Sequence, residues 1–307
     1  MKFIEDCLNS IYKGSKIPSV IVVDNGSGDG SRELIAGKYP EVMLLTLKEN
    51  TGFSNAVNEG IKKAKTKYVF LLNNDTMIDE KCVEELEKVM ESSDRLFSAS
   101  AKMINMKFPE KIDDAGDFYC ALGWAFARGK DEDISKYPNA GRVFAACGGA
   151  AIYRKDLFEK VGLFDEAHFA YLEDIDVGYR ANILGYWNYY APSAIVYHAG
   201  SGVSGSRHNP FKVDLSARNS IYLIYKNMPI LQIGLNLPFL LAGYLIKLLF
   251  FIKKGMGRIY INGIKKGFSL AFSEEGRKKK VKFKVKNVPH YLWIQWELWF
   301  GIVLRII

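Results

Sequence analysis

Short apolar runs alternate with helical patterns up to about residue 105. The runs 20–23 and 68–72 are strongly apolar, and polar residues that include Asp24 and Asp75 follow them. Between the runs, apolar residues recur at helical spacing, as at Val57, Ile61 and Ala64. Buried strands that alternate with helices are typical of a parallel sheet, whose ligands bind at the carboxyl ends of the strands. The pattern therefore predicts an α/β fold with both aspartates at one ligand-binding edge.

The pattern divides the chain into three regions. Strands and helices alternate in residues 1–105, whereas the periodicity is looser in residues 106–228, which contain an acidic cluster at 173–176. Residues 229–307 differ from both in composition, because long apolar runs lie next to basic ones. We expect two halves of one catalytic domain, followed by a helical tail.

Composition and charge exclude several classes of protein. The 307 residues are 49% hydrophobic and 25% charged, which are ordinary globular values and exclude general disorder. The four cysteines form no CxxC pair, so the sequence predicts neither a zinc site nor a disulfide framework. The net charge of +8 is concentrated in the last third, and a basic end of this kind faces either nucleic acid or an anionic membrane.

The tail favours the membrane over nucleic acid. Residues 230–252 are apolar apart from Gln232, Asn236, Pro238 and Lys247, and residues 291–300 are rich in aromatic side chains. Contiguous apolar runs do not suit a nucleic-acid surface, whereas aromatic and basic residues together are typical of a bilayer interface. An interfacial anchor is the favoured interpretation, and a buried helical subdomain and a membrane span remain as alternatives.

The segment that follows the first apolar run can hold part of a nucleotide. Asp24 can accept hydrogen bonds from a base or a ribose, and the Gly/Ser-rich turn after it can direct backbone N–H groups at phosphate. The glycines at 26, 28 and 30 lack the GxGxxG spacing of a dinucleotide fingerprint. The alternative is an ordinary turn with a helix-capping aspartate.

The second polar segment, Asn73-Asn74-Asp75, has the chemistry of a metal site. A diphosphate leaving group needs a divalent cation, and hard cations prefer oxygen ligands. Asp75 can bind the ion while Asn73 or Asn74 contacts the sugar nucleotide, and the alternative is a turn or helix cap. A third polar segment, with Gly52 and Asn55, opens a helix and is weak evidence by itself.

The acidic cluster offers a general base. Glu173 and Asp174 lie at the predicted start of a helix, where the helix dipole favours the carboxylate form, so we expect both to stay ionised. The alternative is a capped helix with an Asp176–Arg180 ion pair.

Five segments in order resemble the family-2 glycosyltransferases, particularly the rhamnosyltransferase-like branch. They are VVDNGSGDGS, NTGFSNAVNEG, YVFLLNNDT, GGAAIYRKDLFEKVGLFDE and FAYLEDIDVGYR, and the similarity covers roughly residues 3–219. The resemblance implies the GT-A fold, a Rossmann-like, mostly parallel sheet flanked by helices, here with a membrane-associating helical extension at the C-terminus. It also implies inverting transfer from a nucleoside-diphosphate sugar, with dTDP-rhamnose as one candidate, and a Mg²⁺ or Mn²⁺ ion.

The resemblance assigns roles by position. Residues 1–105 become the half that binds the nucleotide sugar, and residues 106–228 become the acceptor-binding, catalytic half. Asp174 falls on the catalytic base with Glu173 beside it, and Asp75 and His198 are the metal ligands, although His198 could equally be a hydrogen-bonded residue at a strand end. The predicted donor-binding residues are Asp24, Asn25, Gly52, Asn55, Asn73, Asn74 and Arg218, the last with a surface or capping role as its alternative.

The resemblance also implies a place of action, namely the cytoplasmic face of the cell membrane with a lipid-linked saccharide as acceptor. A sugar nucleotidyltransferase is a weaker alternative, because no Gly-rich loop with basic residues begins the chain. The loop 199–207 after His198 is predicted to be flexible.

One departure from the family pattern is large: the family begins with an apolar strand, whereas Met1 here leads directly into a predicted helix at 3–12. Either this sequence starts too late, or the chain lacks a central strand that forms one wall of the nucleotide pocket. A non-catalytic saccharide- or lipid-binding relative therefore remains an alternative.

Overall fold

The computed structural model describes residues 3–200 and 209–306, so most of the loop 199–207 lies outside the described residues. The predicted alternation of helices and strands is present in the first region. Its elements, in chain order, are α1 (Ile4–Tyr12), β1 (Ile21–Asp24), α2 (Ser31–Lys38), β2 (Met43–Thr46), α3 (Phe53–Lys63), β3 (Tyr68–Leu72), β4 (Thr76–Ile78), α4 (Cys82–Glu91) and β5 (Leu96–Asn105).

Short strands dominate the middle region, and four helices close the described part of the chain. The middle elements are β6 (Ile112–Asp114), β7 (Asp117–Cys120), β8 (Trp124–Ala127), β9 (Gly141–Val143), β10 (Ala150–Arg154), α5 (Phe158–Val161), α6 (Glu173–Ile183), β11 (Trp187–His198) and α7 (Pro210–Asn227). The C-terminal helices are α8 (Ile230–Lys253), α9 (Gly257–Phe272), α10 (Glu274–Lys279) and α11 (Val288–Ile306).

The central sheet has seven strands in the order β3-β10-β5-β11-β4, with β6 paired to β5 and β9 paired to β11. Its pairing is mixed rather than mostly parallel. β5 and β11 run parallel, but β10 lies between β3 and β5 and is antiparallel to both. Apart from β4, which is antiparallel to β11, the strands that reverse direction come from the middle region, where the sequence has no clear periodicity. Their pairing depends on contacts between distant segments, which a local pattern does not encode.

The strands on the donor side do not form one continuous sheet. β1 pairs in parallel with β2 alone, and the two form a separate sheet. β3 pairs with β10 alone, and no ladder joins β1 to β3 within residues 3–200 and 209–306. Both sheets still share one core, in which Leu8 of α1 packs with Ile35, Leu86 and Ala150. An open backbone edge of this kind is a position where a further strand can pair.

The C-terminal region packs on the catalytic half instead of forming a separate unit. Ile294 and Leu298 of α11 are fully buried in a cluster that contains Phe144 and Tyr179. The hairpin formed by β7 and β8 lies against both α8 and α11. The amide of Ala121 donates to the Leu298 carbonyl at 2.8 Å.

α8 has its polar residues turned inward. Asn236 exchanges two hydrogen bonds of 2.8 Å with Gln295, and Gln232 accepts one of 2.8 Å from Tyr179. In contrast, most of its apolar side chains face outward, with Leu231 83% exposed. By length and composition α8 could cross a membrane, and only 17% of its apolar window is buried. Two of the residues that interrupt the apolar run in the sequence, Gln232 and Asn236, thus help to attach the helix to the protein.

Candidate active site

A cavity of about 1700 Å³ brings the main predicted residues together. Asn73, Asn74 and Asp75 reach it from the turn between β3 and β4, and His198 reaches it from the end of β11. The start of α6 contributes Glu173 and Asp174 to the same cavity. The metal-binding and catalytic candidates therefore share one space, although they lie far apart in the sequence.

Asp75 and His198 form the metal-binding candidate. The Nε2 atom of His198 lies 3.4 Å from Oδ1 of Asp75, and its Nδ1 atom lies 2.8 Å from Oδ2 of Asp113. Lys130 forms an ion pair with the other oxygen of Asp113. Two ligands that each bind an ion at about 2.1 Å stand roughly this far apart, and a carboxylate behind a ligating histidine fixes its orientation. The pair fits a divalent ion.

The raised pKa of His198 indicates which positive charge a bound ion would replace at this pair. Burial by itself lowers the pKa of His198, but hydrogen bonds to Asp113 and Asp75 outweigh burial and raise the pKa to about 9. The imidazolium form therefore supplies positive charge between two carboxylates. A divalent cation bound to Nε2 would take over that charge.

The turn before α6 is strained and firmly held. Phe169, Tyr171 and Leu172 all have positive φ angles, of 62°, 69° and 69°, which non-glycine residues rarely adopt. The side-chain amide of Asn219 donates to three carbonyls of this turn, those of His168, Ala170 and Tyr171, at 2.9, 2.8 and 2.7 Å. These bonds stabilise the turn that presents Glu173 and Asp174.

Asp174 points back to the Gly148-Gly149 segment. Its Oδ2 accepts a hydrogen bond of 3.3 Å from the Gly148 amide, and its Oδ1 accepts one of 2.8 Å from the Ile175 amide. Burial raises the pKa of Asp174 in spite of these bonds. Burial and the neighbouring Asp174 raise the pKa of Glu173 well above its usual range, and Glu173 Oε2 has no hydrogen-bond partner.

The pKa of both acids is thus shifted up by burial, opposite to the direction in which a helix dipole would shift it. A raised pKa makes each carboxylate a stronger base once it is ionised. The predicted Asp176–Arg180 pair is present at 2.9 Å, on the opposite side of α6, where Lys226 also binds Asp176 at 2.8 Å.

Three acidic residues that the sequence analysis missed lie beside the predicted ones. Asp113 and Asp114 end β6, and Asp117 begins β7. Asp114, Asp117 and Cys147 each place one ligand atom within 4.8 Å of the others. Burial raises the pKa of Asp114 to about 7, and burial together with Asp114 raises the pKa of Asp117 well above its usual range. The available signal was the run Asp113-Asp114-Ala115-Gly116-Asp117, with three carboxylates around one glycine.

The donor-side residues lie in a neighbouring group around the loop 50–52. Asn25 accepts from the Thr51 amide at 2.9 Å and donates to the Gly52 carbonyl at 3.1 Å. Asn55 donates to the Thr51 hydroxyl at 2.8 Å. Asp24 is paired with Arg32, and although burial by itself raises its pKa, bonds from Ser27 and Arg32 hold the pKa below its usual range.

Gly52 joins this loop to the turn before α6. Its φ is +89°, and a Cβ atom there would lie 2.7 Å from the Phe169 carbonyl oxygen. The Ser54 amide donates to that same carbonyl at 3.2 Å. Only glycine combines this backbone angle with so close an approach.

Arg218 has a supporting position. Its guanidinium donates to the carbonyls of Ala167 and His168 at 2.7 and 2.8 Å, and it is absent from the cavity lining. The structure thus places Arg218 beside Asn219, behind the turn that precedes α6. A contact with a donor diphosphate stays a prediction.

Related proteins share this arrangement of sequence and fold. The chain is 26% identical over 221 residues to N-acetylglucosaminyl-diphospho-decaprenol L-rhamnosyltransferase of Mycobacterium tuberculosis, covering 64% of this chain and 71% of that protein. It is 27% identical over 200 residues to poly-beta-1,6-N-acetyl-D-glucosamine synthase of Staphylococcus aureus, covering 62% of this chain and 45% of the synthase.

A solved structure confirms the GT-A fold. The mannosyltransferase PcManGT from Pyrobaculum calidifontis, in complex with GDP-Man and Mn²⁺, superposes with a TM-score of 0.52 at 16% identity. The alignment covers 99% of this chain and 82% of the mannosyltransferase. At this identity the likeness shows the fold alone.

The family itself is shown by sequence. The model of glycosyl transferase family 2 matches residues 1–162, which include β1, β3, β10 and the Asn73–Asp75 turn. With this match, the relatives and the GT-A fold in agreement, the chain belongs to glycosyl transferase family 2.

Proposed function

We propose that this protein is an inverting, metal-dependent glycosyltransferase that moves a sugar from a nucleoside-diphosphate sugar to a lipid-linked saccharide or polysaccharide. The observation that carries the proposal is the single cavity shared by Asp75, His198, Glu173 and Asp174. One end of this group fits a divalent ion, and the other offers a buried carboxylate of raised pKa. Direct displacement of a nucleoside diphosphate needs both kinds of group.

Asp174 is the base in this proposal. It takes the proton from the acceptor hydroxyl as the acceptor oxygen bonds to the anomeric carbon, and the bond to the donor phosphate breaks on the opposite face. The raised pKa brings Asp174 closer to the range in which a base is efficient at neutral pH. Glu173, with its free Oε2 atom, has an acceptor available for a substrate hydroxyl.

Asp75 and His198 would hold Mg²⁺ or Mn²⁺, with Asp113 fixing the imidazole. When bound, the ion neutralises charge on the departing diphosphate. Asn73 and Asn74 would contact the sugar nucleotide, and the loop around Asn25, Gly52 and Asn55 would form its nucleotide side together with Asp24. The relative from M. tuberculosis is named for rhamnosyl transfer, which makes dTDP-rhamnose the first donor to test.

The place of action is the membrane surface. The outward apolar face of α8 and the basic residues 277–286 support attachment to the cytoplasmic face of the cell membrane as a peripheral or monotopic protein. The relative from M. tuberculosis is named for an acceptor carried on a diphospho-decaprenol lipid, and the proposed acceptor is of this kind.

The proposal is tested by an assay of sugar transfer, with membranes that contain the full chain as the enzyme source. They are incubated with a panel of nucleoside-diphosphate sugars and lipid-linked saccharides, and products are identified by mass. Membranes carrying Asp174→Asn are the matched control. A product that forms with the wild type and not with the variant supports the proposal, whereas no product with any donor contradicts it.

A second candidate is a saccharide- or lipid-binding relative without turnover. The break between β1 and β3 favours it, because the donor edge is where a nucleotide pocket needs continuous backbone. Binding of nucleoside diphosphates separates the two candidates, since a donor-dependent enzyme must bind them and a non-catalytic relative need not.

A further inference from the structure

The cavity that holds Asp75 and Asp174 continues to the outward-facing helix α8. Its far end is lined by Trp124 and Phe126 of β8, and by Lys247, Lys254 and Arg305. A volume of about 1700 Å³ exceeds the roughly 300–1,000 Å³ of an ordinary ligand pocket. There is room for a second ligand beside the donor.

The β7–β8 hairpin is the wall that joins the two ends. Its first residue, Asp117, lies beside Asp114, and at its other end the Trp124 indole donates to the Gly243 carbonyl of α8 at 3.2 Å. A Cβ atom on Gly243 would lie 2.1 Å from the Leu122 carbonyl oxygen, so helix and hairpin touch through their backbones. The far end of the cavity is therefore formed by packed backbone and side chains, and it lies between the acidic residues Asp114 and Asp117 and helix α8.

Three cations at the far end have no carboxylate partner within residues 3–200 and 209–306. Each lies over an aromatic ring instead. The Lys247 Nζ atom is 5.4 Å from the centre of the Trp124 ring, the Lys254 Nζ atom is 5.7 Å from that of Phe250, and the Arg305 Cζ atom is 5.6 Å from that of Phe126. Elsewhere on the protein, surface lysines such as Lys266 and Lys278 are paired with acids. The far end thus combines uncompensated positive charge with aromatic and aliphatic surface.

We infer that this far end is the subsite for an isoprenoid diphosphate, with Lys247, Lys254 and Arg305 binding the diphosphate and the outward apolar face of α8 guiding the isoprenoid chain. The inference rests on the proposed function, because it places the lipid end of the acceptor relative to the base. Cations next to apolar surface match a ligand with an anionic head and a hydrocarbon tail.

These three cations are not needed to neutralise the donor diphosphate. Asp75 and His198 line the cavity on the catalytic side, where a bound ion would neutralise a donor diphosphate. Lys247, Lys254 and Arg305 all belong to α8, its C-terminal end and α11, which flank the hairpin. A saccharide joined to the lipid diphosphate would then extend from these cations along β8 toward Asp174.

The experiment measures binding of farnesyl diphosphate to the full chain by calorimetry, with farnesol and inorganic diphosphate as partial ligands. Hydrogen bonds to charged groups contribute about 1.5–3 kcal/mol, so Lys247→Ala, Lys254→Ala and Arg305→Ala should each weaken farnesyl diphosphate binding roughly tenfold or more. Lys253→Ala is the matched control, because Lys253 neighbours Lys254 in sequence but does not line the cavity. Lys247→Met keeps most of the side-chain length and should show the same loss if folding limits the alanine variant.

Three outcomes would overturn the inference. They are unchanged affinity in all the cavity variants, equal affinity for farnesol and farnesyl diphosphate, and an equal loss of UDP, GDP and dTDP binding, which would assign the cations to the donor. Failure of the proposed function looks different, since the wild type would then bind farnesyl diphosphate normally and still transfer no sugar to any acceptor.

Discussion

His198 Nε2 lies 3.4 Å from Asp75 Oδ1, although the two residues are separated by most of the catalytic domain. The contact exists because β4 and β11 are neighbours, with Thr76 paired to His198. Strand pairing thus brings these two side chains together, and it places the Asn73–Asp75 turn at the same cavity as Glu173 and Asp174.

Asp75→Ala should abolish the metal-dependent part of nucleotide binding. No carboxylate in Asn73-Asn74 can replace Asp75, and His198 would lose the partner of its Nε2 atom. Calorimetric titration with UDP, GDP and dTDP, with Mn²⁺ or with chelator, measures the effect. Glu80→Ala, an exposed change near the same turn, is the control. Nucleotide affinity that is unchanged and indifferent to chelator in Asp75→Ala would rule out this metal site.

Asp174→Asn should lower kcat by roughly 10²–10⁴-fold, the usual cost of losing a general base. The amide keeps the shape of the side chain, and its one oxygen can keep the shorter bond, from the Ile175 amide, while the longer bond from the Gly148 amide is lost, so donor binding should change little. Single-turnover transfer rates and donor Kd, measured side by side, separate the two effects. Near-normal turnover in Asp174→Asn together with a loss in Glu173→Gln would reverse the roles of the two acids.

His168 should make the protein less stable in mild acid. It is fully buried with neither ring nitrogen hydrogen-bonded, and burial lowers its pKa to about 4. The unfolded chain binds a proton near pH 6.5, so stability from neutral His168 is complete above that pH and is lost as pH falls toward 4. The difference is about 3 kcal/mol in the free energy of unfolding.

Urea unfolding of wild type and His168→Phe between pH 4 and 7 measures this contribution. The ring of phenylalanine can keep the packing against Tyr222, whose ring centre is 5.3 Å away. The variant should lose less stability on acidification. The raised pKa of Asp114 acts in the opposite direction and is common to both proteins, so the comparison isolates His168. Identical pH profiles would show that His168 does not contribute.

Exposed apolar side chains on α8 and α11 should control membrane binding. Leu241, Leu292 and Trp296 are 63%, 67% and 63% exposed, and changing all three to Gln should weaken binding to phosphatidylglycerol vesicles at least tenfold. Phe108→Gln is the control, since Phe108 is 56% exposed and lies outside the tail. Deleting the tail is a less informative change, because Ile294 and Leu298 would leave the core with it. Equal sedimentation of the triple variant and wild type would refute the anchor.

The open edges of β1 and β3 should accept an added strand. An apolar, β-branched segment of about five residues, joined by a short linker ahead of Phe3, should raise Tm by roughly 5 °C and tighten nucleotide binding. A Gly/Ser extension of equal length is the control. If both extensions give the same Tm, the edges do not receive the segment.

The sequence predicted the residues that lie at the ends of well-patterned elements. Asp75 follows a clear strand and Glu173 begins a clear helix, so their place could be inferred from topology. Asp114 and Asp117 belong to strands of three and four residues with no periodicity, and only the fold brings them to Asp174. The direction of the pKa shifts was not predictable either, because burial depends on segments distant in the chain.

The orientation of the polar residues in the C-terminal tail could not be predicted from the sequence either. Gln232 and Asn236 interrupt an apolar run, and a local pattern gives no reason to turn them inward. They lie inward because Tyr179 and Gln295, from two other helices, provide their hydrogen-bond partners. Partners of this kind are visible only after the helices are assembled.

The contact between Ala121 and Leu298 has a consequence for biosynthesis. One wall of the cavity is held by a helix that the ribosome makes more than half a chain length later. During translation the β7–β8 hairpin is therefore made before the Leu298 carbonyl to which it donates a hydrogen bond. This wall of the cavity should therefore reach its final position only after α11 has emerged and docked.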